Sequence, residues 1–159
     1  MQESERRFLE RQEIERQIEA GNSEFINQFF SCDLSVEQVV ERYNAGERDF
    51  SDVGLCSLDL SGINLARANL TGAKLMGTNL TNTSLVGANL SYAYLAGASL
   101  RGANLAEADL TRAIMTGANL EHTNLRGACR KGVEDHQAFY CNTIMPDGSV
   151  EIGPYWAEG

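Results

Sequence analysis

The stretch "ANLTGAKLMGTNLTNTSLVGANLSYAYLAGASL", residues 68–100, has a leucine at every fifth position and one charge, Lys74. Stepping by five from Phe50 extends the column through Leu55, Leu60, Leu65 and onward to Leu125, with Met115 the one non-leucine after Phe50. Two residues before each member stand Val53, Leu58 and Ile63, and then small residues from Ala68 to Thr123. A helix needs apolar spacings averaging 3.6, so a strict five would drift around its surface. A plain strand fails too, because positions five apart lie on opposite faces.

The chain must therefore turn once per repeat. The pattern predicts a short extended segment with the small residue and the leucine inward, then a corner, so that the chain coils around its own leucines. Gly62, Gly72, Gly77, Gly87, Gly97, Gly102, Gly117 and Gly127 fall two residues after the column, where a corner needs a permissive backbone. The residue directly after the column, such as Ser91, is expected to face solvent.

The segments "ANLTG", "ANLSY", "ANLAE", "ADLTR" and "ANLEH" resemble the A(D/N)LXX pattern of pentapeptide-repeat proteins. The resemblance covers Arg48 to Gly127 and implies an all-β solenoid, a right-handed quadrilateral β-helix with four pentapeptides per coil. A shorter match, "NTIMPDGS" (142–149), resembles the C-terminal ends of some cyanobacterial-type members. The residues support a twenty-residue coil on their own. Just before the column, three of the four twenty-residue phases hold only Asp, Asn or Ser, whereas the fourth holds Gly54, Lys74, Tyr94 and Ile114.

A solenoid exposes core and unpaired strand edge at its ends and so needs caps. "SVEQVVERYNAG" supplies a helix over the first coil: Ser35 and Gln38 have capping-box spacing, and Val36, Val39, Val40 and Tyr43 share one face. The expected organisation is a helical arm over 1–31, a capping helix within 32–47, the β-helix over 48–127, and a partial fifth coil with a closing tail over 128–159. The leucine column stops at Arg130, which predicts a loop over 129–137. Ala138 with Tyr140 and Thr143 with Met145 then return to frame. In the arm, Glu3 with Arg7 and Arg6 with Glu10 have helical pair spacing. The arm reads either as solvated helices or as a docking or dimerising segment.

The 159 residues carry a net charge of −9, unevenly spread. Residues 1–49 hold six basic and twelve acidic side chains, 50–127 five of each, and 128–159 two and five. No basic nucleic-acid footprint is present. The chain shows no apolar run long enough to span a bilayer and no leader-like start, so a cytoplasmic protein is expected. Four widely spaced cysteines then predict free thiols, and two histidines are too few for a dedicated metal site. No nucleophile elbow, phosphate-cradling loop or paired-carboxylate signature appears, so neither an enzyme, a cofactor nor a small-molecule substrate is expected.

What remains is a protein-interaction scaffold, binding another protein or a second copy. The family resemblance implies an alternative, a DNA-mimicking binder of a type II topoisomerase such as gyrase. A duplex carries roughly one charge per 1.7 Å, which a neutral rod does not imitate. The candidate interface is the odd fourth face: Cys56, Met76, Tyr94, Ala96 and Ile114, with Tyr92 one corner away. An apolar strip of this kind is covered by the chain's own arm or tail, serves as a contact surface, or is left exposed.

Overall fold

The computed structural model describes residues 1–158, which divide into two compact units, Met1 to Ser31 and Cys32 onward. In the first unit, α1 (Glu3–Glu19) and α2 (Ser23–Phe29) are joined by a tight turn at Gly21. Both anticipated α1 pairs form, Arg7 to Glu3 at 2.9 Å and Arg6 to Glu10 at 2.6 Å. Exposed helix pairs of this kind are screened by solvent and add little to stability. Asn22 caps α2 by accepting the Phe25 N–H at 3.1 Å, and Phe25 stacks on Phe29 with ring centroids 5.9 Å apart.

The second unit begins with α3 (Val36–Asn44), whose N-terminus is closed by the reciprocal Ser35 and Gln38 capping box. Val39 is fully buried in the same core as Phe50, and the Tyr43 hydroxyl donates to the Ala66 carbonyl at 3.0 Å. Val36 and Tyr43 of this helix and Val53, Leu58 and Ile63 of the first coil all pack against that core from partly buried positions.

From Asp49 to Ile144 the chain runs as a right-handed four-sided β-helix. Each residue before the column pairs in parallel with its counterpart twenty residues later, as in Asn69 with Asn89 and Asn89 with Asp109. The ladder is continuous: the Leu90 N–H donates to Asp109 at 2.7 Å, and the Asn89 N–H to Ala68 at 2.9 Å. Every column leucine is 0–1% exposed. Burying each such side chain is worth about 1.5–3 kcal/mol, which makes the column the main stabilising element.

The corners are β-turns of type II. The Ala93 N–H closes on the Leu90 carbonyl at 3.0 Å, and every residue two after the column, from Asp52 to Asn142, has φ between 50 and 70°. Glycine is one solution among several, since Tyr92, Arg112 and Gln137 adopt the same left-handed conformation. Gly102 has a second constraint, because a Cβ there would run into the Asn82 carboxamide one coil below.

Side chains complete the backbone in two ways. Outward Asp and Asn before the column accept the N–H two residues on, as Asn89 does from Ser91 at 3.0 Å. Some also stack, with Asn69 donating to Asp49 at 3.0 Å. Inward threonines replace alanine where a carbonyl can be reached: Thr78, Thr83, Thr123 and Thr143 are fully buried and donate to Leu55, Leu60, Leu100 and Leu120 at 2.6–2.7 Å.

Two sequence expectations are corrected. Ser91 does not face solvent: it is 8% exposed, and its hydroxyl donates to the Asn89 carboxamide at 2.6 Å while lying 3.5 Å from Thr71 Oγ1. Residues 129–137 are not a loop. Parallel pairing continues through Cys129, Glu134, Phe139 and Ile144, so the fifth coil is complete. The backbone ladder keeps the frame where the leucines stop. Two short antiparallel pairs then finish the chain, β1 (Phe139–Tyr140) with β4 (Tyr155–Trp156) and β2 (Thr143–Ile144) with β3 (Val150–Glu151).

Candidate binding surfaces

The face beginning at Leu55 differs from the other three because its pre-column residues cannot form the Asx contact. Gly54, Lys74, Tyr94, Ile114 and Glu134 pair in register along it, so Tyr94 lies between Lys74 and Ile114. Met76, Tyr92, Tyr94, Ala96 and Ile114 are half-buried, each partly covered by its neighbours on successive coils.

Cys56 departs from this strip. It is 4% exposed, because Cys32 and Asp33 pair antiparallel with the start of this face. The Asp33 N–H donates to the Gly54 carbonyl at 2.7 Å, and the Cys32 thiol to the Cys56 carbonyl at 2.7 Å. Desolvation raises the Cys56 thiol pKa above its ordinary value, so the group is an inert part of the packing. A segment of the chain therefore covers the first coil of the strip.

A second region lies in the fifth coil, where the five-residue column continues as Arg130, Asp135, Tyr140 and Met145. Asp135 Oδ2 accepts from the Arg130 guanidinium and from the Tyr140 hydroxyl, both at 2.6 Å. Arg130 Nε is buried without a partner. Burial raises the Tyr140 phenol far above its usual pKa; the Arg130 charge opposes this and Asp135 adds to it. A cleft of about 560 Å³ adjoins the triad, bounded also by Met145, Glu151, Tyr155, Ala157 and Glu158. Sequence reasoning missed Arg130 and Asp135 by ending the column at the last leucine. The unbroken count of five, which reaches Tyr140 and Met145, was the signal that would have found them.

Among the described residues, no group of three His, Cys, Asp or Glu is placed to hold a metal ion. No helix among them is long and apolar enough to cross a membrane.

The pentapeptide repeats family model matches residues 49–87 and 88–127, in eight copies. The chain belongs to the pentapeptide-repeat family. A crystallised pentapeptide repeat protein of Nostoc PCC 7120, alr5209, is 31% identical over 65% of this chain and 78% of its own, with a TM-score of 0.47. A pentapeptide repeat protein of the Arabidopsis thaliana thylakoid lumen is 32% identical over 56% of this chain and 66% of its own, with a TM-score of 0.36. HetL, described as involved in heterocyst differentiation regulation in Nostoc PCC 7120, is 19% identical over 74% of this chain and all of its own, with a TM-score of 0.30. No curated protein sequence matches this pentapeptide-repeat chain.

Proposed function

We propose that this pentapeptide-repeat protein is a non-enzymatic protein-interaction scaffold whose contact surface is the strip of Met76, Tyr92, Tyr94, Ala96 and Ile114. The observation that carries the reading is the register that sets Tyr94 beside Ile114, between Lys74 and Glu134, on the one face without outward Asp or Asn before its column. Aromatic and methionine side chains are enriched where proteins meet, and tyrosine is among the residues that carry most binding energy. The occupant is another protein or a second copy, and the reading includes no catalysis, cofactor or direct nucleic-acid contact. A cytoplasmic location is part of the same proposal.

The test is affinity capture from the native host with wild type and with Tyr94→Glu plus Ile114→Glu. Light scattering of both proteins reports self-association. The double variant should melt like wild type and lose the captured partner or the dimer. If it retains every captured partner and wild type is a monomer, the strip is not the binding face. Fractionation of the host tests the location, and recovery of the protein outside the cytoplasm would overturn it.

A further inference from the structure

In every interior coil, the column N–H donates to the coil above, as Leu110 does to Cys129 at 2.8 Å and Met115 to Glu134 at 2.6 Å. In the fifth coil this pairing is half complete. On the Tyr140 and Met145 sides, β4 and β3 take the place of a sixth coil, and the Gln137 N–H reaches the Ala157 carbonyl at 2.7 Å. On the Arg130 and Asp135 sides, no described strand follows. The backbone N–H groups of Arg130, Gly132 and Asp135, and the carbonyls of Ala128 and Val133, make no hydrogen bond among the described residues. Such an edge is a template for an extended chain.

The cleft beside this edge selects by charge. Arg130 and Asp135 are paired with each other and Arg130 also lies over the buried Tyr140 ring, leaving the carboxylates of Glu151 and Glu158 and the exposed ring of Tyr155. Carboxylates next to aromatic faces favour an ammonium or guanidinium group. The polar triad is itself unexplained by stability, because a leucine set would close the coil without the desolvation cost of an ion pair.

We infer that the open end of the fifth coil docks an extended basic peptide of a partner protein. The peptide adds as a strand along Arg130 and Asp135 and places a lysine or arginine side chain against Glu151, Glu158 and Tyr155. The inference rests on the scaffold reading in its class alone, since it uses a surface separate from the Tyr94 strip.

The experiment titrates the full chain with a fluorescein-labelled alternating Lys-Thr octapeptide, a Glu-Thr octapeptide and spermidine. Anisotropy reads binding, and amide hydrogen exchange reads the edge. The Lys-Thr peptide should bind saturably and slow exchange at Arg130, Gly132 and Asp135. Glu151→Gln with Glu158→Gln should weaken it by about tenfold or more, as expected for loss of paired interface charges. The charge-matched control Glu41→Gln with Glu107→Gln should bind like wild type. Absence of saturable binding overturns the inference, as does equal weakening in the control. Displacement by spermidine with no protection of the edge amides marks a small-cation site instead and also overturns it, as does preference for the Glu-Thr peptide. Tyr94→Glu with Ile114→Glu should leave peptide binding unchanged, so this surface and the strip fail or succeed separately.

Discussion

The Tyr140 hydroxyl donates to Asp135 Oδ2 at 2.6 Å from the column position directly after it, inside a solenoid whose earlier coils hold only hydrophobic side chains there. Arg130 completes the set from the position before. Removing one member leaves the others under-satisfied, and this asymmetry sets the first expectation. Asp135→Ala should destabilise the protein by about 1–3 kcal/mol, the cost of leaving its two donors unsatisfied and less than that of breaking a fully buried pair, because both partners keep some solvent contact. Arg130→Leu with Asp135→Leu should be near neutral or stabilising. Urea melts of the two variants check this, and equal destabilisation would show that the triad holds the end together.

The raised Tyr140 pKa has a defined sign. Burial raises the folded value above the ordinary 10.0, so the fold favours the neutral phenol. That contribution is fully present below pH 10 and is lost as pH rises beyond it, while the unfolded chain ionises first. Stability of wild type should therefore fall more steeply above about pH 10 than that of Tyr140→Phe. Parallel slopes for the two proteins would contradict the assignment.

Leu90 is fully buried, and Leu90→Lys places an unpaired charge in a column with no route to water. The variant should lose its cooperative melt, a loss of several kcal/mol. Ser91→Lys, which a purely outward slot would tolerate, should instead cost about 1–2 kcal/mol, because it removes the bond to Asn89 and forces a long side chain out of a covered site. Thermal melts followed by circular dichroism distinguish the two, and a silent Ser91→Lys would contradict the packing at that corner.

Thr78 shows how the interior tolerates a hydroxyl. Thr78→Val keeps the shape but leaves the Leu55 carbonyl without its donor, at a cost of about 1–3 kcal/mol. Thr78→Ala adds a small void in the same place and should cost at least as much. Chemical denaturation measures both, and a stabilised valine variant would mean that the carbonyl finds another partner.

Charge makes a prediction about the topoisomerase alternative. The β-helix over 50–144 holds seven basic and seven acidic side chains, whereas a duplex of the length of five coils, about 24 Å, carries roughly fourteen negative charges. Gyrase supercoiling should be unaffected by stoichiometric protein at physiological salt. Inhibition that weakens as salt rises would reverse this ranking.

The period of five, by itself, determined that the chain turns once per pentapeptide and coils around its own leucines, whereas the four sides were legible only in the twenty-residue phasing of the residues before the column and in the family resemblance. The same local chemistry made α3 readable from Ser35, Gln38 and its apolar face. The corners were legible only in part: glycine marked some of them, but ladder and core also hold Tyr92 and Arg112 in the left-handed conformation. Burial at the edges of the pattern was decided by the tertiary structure. Cys56 is covered because a segment more than twenty residues earlier pairs beside it, and Ser91 because the adjoining coil supplies Thr71. Arg130 and Asp135 were hidden for a related reason. Charged residues look like the end of a hydrophobic column, and only the continuing backbone ladder, with Tyr140 as a third partner, makes their inward placement affordable. The open edge above them is likewise a property of the assembled coil, since a free N–H becomes recognisable only once the strands on either side have been placed.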